Sequence, residues 1–262
     1  MGVRLFVGGH AGTVQGERED LAGPRCFSAG VSQMPGCLKA GAEVEALGDS
    51  GAFTDVCDDK RLPPAEALGR QFAWERRASE VVGSDWRFRH LASYDRLIDE
   101  KYRGGARRKE RWTVAAAELA VRETVEAARF LAGERERVAP RTLVLACQGV
   151  DAAQYEDCVN EVLKVARPGD WIGLGGWCIL GRFTSWLPVF WETLRRILPL
   201  VASAGVTSPS ASTASESGGR RSSTPRAATA TAARTTSSTT GTTGRACRPG
   251  TTPTACCAVA LL

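Results

Sequence analysis

Residues 141–149 read RTLVLACQG, and this stretch decides the fold class. Its run of Leu, Val and Ala is typical of a strand buried on both faces of a parallel sheet. Residues 151–166 (DAAQYEDCVNEVLKVA) follow directly and indicate a helix with Asp151 as its N-cap. Because a buried strand leads straight into a long helix, the stretch predicts an α/β fold built from βαβ units.

The same alternation extends through the first 205 residues. Short apolar stretches predict strands at 4–8, 26–32, 44–50, 87–95 and 170–176. Helices are predicted at 65–82, 113–138 and 184–205. Pro63-Pro64 opens the first of these helices, and Thr113 caps the second. Strands that alternate with helices of this length imply a parallel sheet.

Polar or glycine-containing motifs follow nearly every predicted strand. They read DSG, YD, CQG and LGG, and each lies at the carboxyl end of its strand. Ligands bind at that end in parallel barrels and in doubly wound sheets. Because the motifs are not confined to one switch point, we predict that residues 1–205 form a partial β/α barrel, an incomplete (β/α)8 TIM-type barrel.

Residues 206–262 form a low-complexity tail of Ser, Thr, Ala and Arg. After Val206 the tail lacks Val, Ile, Leu, Phe, Trp and Tyr until Val259. Such a segment buries too little apolar surface to offset chain entropy, so we predict that it is disordered. Two interpretations stay open: a natural low-complexity linker or nucleic-acid-binding tail, or a frameshift in a GC-rich gene. The tail also carries the net charge of +5, so the body is about neutral.

Composition limits the cellular compartments and the metal or cofactor sites that this sequence can be expected to have. Nine scattered cysteines show no CxxC spacing, and no apolar run is long enough for a signal peptide or a membrane helix. We therefore predict a cytoplasmic protein with reduced thiols, no membrane association, no metal site and no recognisable cofactor. His10 and His90 are isolated in the sequence, and we assign neither a catalytic role.

Residues 49–53 (DSGAF) are the first candidate site. Asp49 can act as a general acid or base, or accept N–H donors from a purine edge. Ser50 and Gly51 leave exposed amides and room for a flat ligand, and Phe53 offers a face for stacking on a base. The alternative is purely structural: a strand end, a glycine turn and a phenylalanine in the core.

Two further strand ends carry side chains suited to a purine edge. Asp95 and Asp99 compete for the role of a second carboxylate, and one of them is a surface acid. Gln148, followed by Gly149, offers both a donor and an acceptor. Each residue has a structural alternative, and for the basic run 102–112 a solvated loop is favoured over a phosphate contact.

The last motif is GLGGWCILG, residues 173–181. It is not a dinucleotide fingerprint, because Cys178 stands where a third glycine is required. Gly175 and Gly176 would allow the backbone to approach a ligand closely, and Trp177 could wall the pocket. Tight packing between strand and loop is the alternative.

Taken in order, these motifs resemble the tRNA-guanine transglycosylase superfamily. The superfamily pattern is DSGGFQ after one strand, an acid at the end of the next, VQGG later, and then a GGL loop. The counterparts here are DSGAF at 49–53, Asp95, CQG at 147–149 and LGGW at 174–177. Order and spacing agree over residues 4–205. Departures at Ala52, Thr54, Val150 and Trp177 suggest a divergent branch, similar to the deazaguanine DNA transglycosylases.

The resemblance implies a glycosyltransferase that exchanges guanine for a 7-deazaguanine in tRNA or DNA, as in queuosine synthesis. It implies that Asp49 is the general acid/base and that Phe53 stacks on the base. Asp95, Gln148 and the Gly176 amide would read the purine edge. A purine or 7-deazapurine base and nucleic acid are the implied partners, and a homodimer is compatible with the resemblance.

Two parts of that superfamily have no counterpart here. Its nucleophilic Asp follows the GGL loop, but this sequence has no Asp after Asp170. Its zinc set of three Cys and one His is also unmatched, because Cys247, Cys256 and Cys257 lack the spacing and a His. Activity is therefore expected to be impaired. Two other functions stay open: a non-catalytic purine- or nucleic-acid-binding module, and an unrelated barrel enzyme that holds a sugar phosphate.

Overall fold

A computed structural model describes residues 3–8, 24–32, 34, 38, 44–58, 60–98, 113–177, 187–206 and 258–261. The strands in these ranges are β1 Val3–Gly8, β2 Arg25–Ser28, β3 Ala46–Asp49, β4 His90–Ala92, β5 Thr142–Cys147, β6 Trp171–Leu174 and β7 Ala258–Leu261. The helices are α1 Ala52–Cys57, α2 Pro64–Val82, α3 Val114–Gly133, α4 Arg135–Val138, α5 Ala152–Leu163 and α6 Leu187–Ser203. None of these helices is long and apolar enough to cross a membrane.

Strands β1 to β6 pair in sequence order, and every neighbouring pair is parallel. The predicted α/β class with a parallel sheet is therefore confirmed. Ser28 lies opposite Asp49, and Cys147 lies opposite Leu174, so the carboxyl ends of adjacent strands are level. This register brings the motifs after β3, β4, β5 and β6 to one edge of the sheet.

Strand β7 differs from the predicted disordered tail. It pairs antiparallel with both β6 and β1. Its sequence, AVAL, is the apolar end of an otherwise polar tail, and apolar residues of this kind suit pairing in a buried sheet. The rest of the predicted tail, residues 207–257 and 262, lies outside the described residues, and Val206 is buried.

The helix caps agree with the sequence. The Thr113 hydroxyl accepts a hydrogen bond from the Ala116 amide at 3.1 Å, and the Asp151 carboxylate accepts one from the Gln154 amide at 2.9 Å. Helix α1 was not predicted, because its six residues are too few to show a helical period. It begins directly after Gly51, so the DSGAF motif is a strand end joined to a helix rather than an extended turn.

Two layers of apolar side chains hold the sheet. On the helix side, Trp74 of α2 stacks between Phe27 and Phe88, with ring centroids 5.4 and 5.0 Å away. On the other side, strand residues pack on one another, and they are Phe6, Cys26, Leu47, Val144 and Trp171. Since successive residues of β5 alternate between the two layers, the sheet is apolar on both faces, as a buried parallel sheet requires.

The amino ends of the strands carry buried acids that are paired. Glu75 of α2 accepts hydrogen bonds from the Phe88 amide and from Arg141, which precedes β5. Asp170, which precedes β6, pairs with Arg135. These contacts tie α2 to the segments that precede β4 and β5, and α4 to the segment that precedes β6.

Candidate functional site

Asp49 is the last residue of β3 and sits at the start of a tight turn. Its Oδ2 accepts a hydrogen bond from the Gly51 amide at 3.0 Å. Gly51 has φ 84, and a Cβ added there would lie 2.5 Å from the Gly30 amide nitrogen. Only glycine fits this left-handed position and this close approach, so the turn that carries Asp49 is fixed by its sequence.

The environment of Asp49 makes its charged form less favourable than it is in water. Burial raises the pKa of the Asp49 carboxyl above its usual value, because the charged form loses water. The Gly51 amide, the Ser28 hydroxyl and the Arg70 guanidinium oppose this rise of the pKa. A carboxyl that is shifted toward neutrality can donate as well as accept a proton, which is what acid–base catalysis requires.

Asp95 follows β4 by three residues and is buried close to Asp49. Burial and, secondarily, the negative charge of Asp49 raise the pKa of Asp95 to about 7. A hydrogen bond from Gln148 lowers this pKa without reversing the shift. The two carboxyls therefore titrate under each other's influence, as acids at shared sites do.

Gln148 follows β5 and is fully buried. Its Nε2 donates a hydrogen bond to Asp95 Oδ2. Its Oε1 has no hydrogen-bond partner among the residues that the structure describes. A buried acceptor without a partner is uncommon in a folded protein, and a ligand with an N–H group would satisfy it.

Gly175 lies directly against this pair of side chains. A Cβ at Gly175 would be 2.0 Å from Gln148 Nε2 and 2.6 Å from Asp95 Oδ2. The Tyr155 hydroxyl donates to the Gly175 carbonyl at 2.6 Å and holds the loop in place. Gly176 has φ 84, and a Cβ there would lie 3.3 Å from Gln148 Oε1. The two glycines therefore allow the backbone to approach the Gln148 side-chain amide, whose Oε1 has no hydrogen-bond partner among the described residues.

The other predicted residues have mainly structural contacts. Phe53 lies in α1 and packs against a cluster that contains Tyr94. Trp177 is buried, stacks on Tyr155 with ring centroids 5.5 Å apart, and contacts Phe190 edge-on. Gly149 lies against the start of α5, where a Cβ would be 2.6 Å from the Tyr155 amide nitrogen. These contacts match the packing alternatives for an aromatic or a glycine beside a strand end.

Three residues at this edge were not among the predicted candidates. Arg70 and Gln71 project from α2 to the backbone beside Asp49, and Tyr155 holds Gly175. Burial is what distinguishes two of them, since Gln71 is buried and Arg70 is half-buried within α2. The sequence does not show how deeply either residue is buried.

The structure gives no support for a metal site in the part of the chain that it describes. That part holds no group of three His, Cys, Asp or Glu placed to bind a metal ion. His90 contacts Glu45 through Nε2 at 2.7 Å and stacks on Trp171. Asp99 and the basic run 102–112 lie outside the described residues, as do Cys247, Cys256 and Cys257.

A comparison of the sequence with protein-family models and with curated proteins found no match. The function therefore has to be inferred from the geometry of the site.

Proposed function

We propose that this chain binds a purine or 7-deazapurine base at the carboxyl ends of β3 to β6. We further propose that it is related in function to base-exchange transglycosylases that replace guanine by a 7-deazaguanine in tRNA or DNA. The observation that carries the proposal is the cluster of Asp95, Gln148 and Gly175 beside Asp49. Four separate strand ends contribute to this cluster.

The acceptors of this cluster suit the donor edge of guanine. Guanine presents a ring N–H and an exocyclic amino group side by side, and Asp95 and Gln148 Oε1 can accept from such groups. Because both side chains are buried, a ligand without these donors would leave acceptors unpaired, which costs about 1–3 kcal/mol for each group. The site is therefore expected to discriminate strongly between bases.

Asp49 is the residue we assign to proton transfer. In base exchange, a nucleophilic carboxylate attacks the anomeric carbon and the C–N glycosidic bond breaks. Asp49 protonates the departing guanine and then removes a proton from the incoming 7-deazaguanine. That base displaces the carboxylate and restores the glycosidic bond, so the carboxyl groups are regenerated. Since the sequence has no Asp after Asp170, we expect little or no base exchange by this chain.

A partial (β/α)8 barrel is the architecture we propose for this site. The parallel order of β1 to β6, with β7 between β6 and β1, supports a sheet that curves back on itself. In such a barrel, the strand ends that bear the four candidate residues would face one another across a single mouth.

A non-catalytic binding module is the second candidate function. It would use the same contacts of Asp95 and Gln148 to hold a base but would perform no exchange. The absence of a later Asp in the sequence favours this candidate over an active enzyme.

Base binding is the first test. Titration calorimetry with guanine and 7-deazaguanine is expected to show binding to the wild-type protein and at least about tenfold weaker binding to Asp95→Asn, since each lost polar contact costs about 1–3 kcal/mol. Asp85→Asn is the matched control, because the Asp85 side chain is 73% exposed. Equal binding by both variants, or a preference for sugar phosphates over bases, would contradict the proposal.

Exchange is the second test and separates the two candidates. Labelled guanine is incubated with tRNA or with DNA and the protein, and incorporation is compared between wild type and Asp49→Asn. A base-binding module retains affinity without incorporation. Incorporation that Asp49→Asn leaves unchanged would defeat the role assigned to Asp49.

A further inference from the structure

We propose that Arg70 is a positioning residue of the base site: it locks the turn that carries Asp49 and sets the charge around that carboxyl. The link to base binding rests on the proposed function. The effect on Asp49 itself does not, and it can be measured without any ligand.

The contacts of Arg70 join both sides of the Asp49 turn. Its NH1 and NH2 donate to the two carboxylate oxygens of Asp55 at 2.8 Å each, and NH2 also donates to the Ser50 carbonyl. The Asp55 side chain is 4% exposed and that of Arg70 is 22% exposed, so the pair is largely shielded from water. Bidentate contacts of this kind fix orientation as well as position.

The fit of the guanidinium against the turn is close. A Cβ at Gly51 would lie 2.8 Å from Arg70 NH2, so the guanidinium rests against the residue whose amide bonds Asp49. Arg70 thus contacts the segment 50–55 at three points: the Ser50 carbonyl, Gly51 and the Asp55 carboxylate. A lysine could keep the charge, but it could not make the planar two-pronged contact.

Arg70 is also the positive charge that acts on Asp49. It lowers the pKa of Asp49, against the larger rise caused by burial. The other groups that face Asp49 are the Ser28 hydroxyl from β2 and the Ser50 and Gly51 amides of the turn. Asp95, from the segment after β4, is the nearby negative charge. Arg70 therefore joins these hydrogen bonds in partly offsetting the cost of burying the Asp49 carboxylate.

The neighbouring residue provides an uncharged comparison. Gln71 Nε2 donates to the Gly48 carbonyl and to the Ala92 carbonyl, both at 2.9 Å. It ties the ends of β3 and β4 together without adding charge. Loss of Gln71 should disturb the geometry of the site, whereas loss of Arg70 should also change the titration of Asp49.

Carbon-13 NMR titration of the Asp49 carboxyl tests the proposal, with the signal assigned by its loss in Asp49→Asn. Arg70→Gln is expected to shift this titration to higher pH, whereas Arg70→Lys stays near wild type because it keeps the charge. Arg129→Gln is the matched control, since Arg129 forms an exposed ion pair with Glu161. An Asp49 titration that Arg70→Gln does not move, or that Arg129→Gln moves equally, would overturn the proposal.

A second variant covers the case in which Arg70→Gln does not fold. Asp55→Asn leaves the guanidinium without its neutralising partner, so the Asp49 titration should move to lower pH. An unchanged titration in Asp55→Asn would count against the proposal.

Affinity for guanine tests the link to base binding. We expect Arg70→Gln to weaken it by about tenfold or more, since misplacement of a site by about 1 Å is costly. If wild type binds no base while the NMR shifts hold, the proposed function fails and the role of Arg70 stands. If wild type binds and Arg70→Gln binds equally, the link of Arg70 to base binding is wrong.

Discussion

The acids at the two ends of the strands have opposite environments. At the amino ends, Glu75 is held by Arg141 and Asp170 by Arg135. At the carboxyl ends, Asp49 and Asp95 form no ion pair with any described residue, and burial raises the pKa of both. At the amino ends both of these acids are paired with an arginine, whereas at the carboxyl ends Arg70 pairs with the buried Asp55 and leaves Asp49 and Asp95 without an ion pair to any described residue.

This difference separates a structural role from a functional one. Paired acids at the amino ends tie helices to strands, and their charge is already compensated. Acids without a cationic partner are costly to bury and are found where a ligand or a proton transfer needs them. The contrast predicts that neutralising an acid will have opposite effects on stability at the two ends.

The largest effect is expected at the amino ends. Glu75→Gln should lower the free energy of unfolding by about 3–5 kcal/mol, because it leaves Arg141 buried without its partner. Chemical denaturation monitored by circular dichroism measures this change. Glu80→Gln, an exposed site on the same helix, should stay within about 0.5 kcal/mol of wild type. If Glu75→Gln changed the free energy of unfolding as little as Glu80→Gln, the proposed difference between the two ends of the strands would be wrong.

Neutralisation at the carboxyl ends should act in the opposite direction. The folded protein keeps the Asp95 proton up to a pKa of about 7, against a usual value of 3.8, so its stability falls as the pH rises through that window and levels off above it. Asp95→Asn should be more stable than wild type at pH 8, by roughly 4 kcal/mol, since each pKa unit corresponds to about 1.4 kcal/mol. Near pH 4 the two proteins should be about equally stable. Denaturation curves between pH 4 and 8 test this, and parallel profiles for the two proteins would contradict it.

Gly175→Ala should damage the site more than the fold. The added Cβ would overlap Gln148 Nε2 at 2.0 Å, and relief of this overlap should cost about 1–3 kcal/mol of stability. It should also displace the Asp95–Gln148 pair and abolish measurable base binding. Thermal unfolding and calorimetry measure the two effects separately. Retained base affinity in a folded Gly175→Ala protein would show that this pair does not bind the base.

The smallest effect is expected at Gly69, which precedes Arg70 in helix α2 but has open space where a side chain would stand. A Cβ there meets nothing within 4 Å, so Gly69→Ala should raise stability by about 1 kcal/mol through helix propensity. Base binding should be unchanged, which makes this variant a control for Gly175→Ala. A destabilising effect would indicate a contact that the structure does not show.

Local features of the sequence predicted much of the fold. The apolar run of β5 and the caps Thr113 and Asp151 depend on a few neighbouring residues, and all three are confirmed. Helix α1 and strand β7 were missed because each is too short to show a period. Strand β7 also depends on partners more than 80 residues away in the sequence, which no local pattern reveals.

The candidate site could be predicted only in outline. That Asp49, Asp95 and Gln148 would lie near one edge followed from their places after parallel strands. The contacts of Arg70 did not follow, because they join residues 15 and 20 positions apart, between helix α2 and the segment after β3. The sequence also could not decide whether Phe53 and Trp177 face a ligand or the core, since an aromatic ring suits both.

The stack of Trp177 on Tyr155 gives the site an optical signal of its own. The Tyr155 hydroxyl donates a hydrogen bond to the Gly175 carbonyl, and the Tyr155 ring stacks on the Trp177 ring. Any ligand that shifts this loop therefore changes the surroundings of an indole, and indole emission responds to such changes. Occupancy could be followed by fluorescence without a label, with Trp177→Phe reporting the background from the other tryptophans.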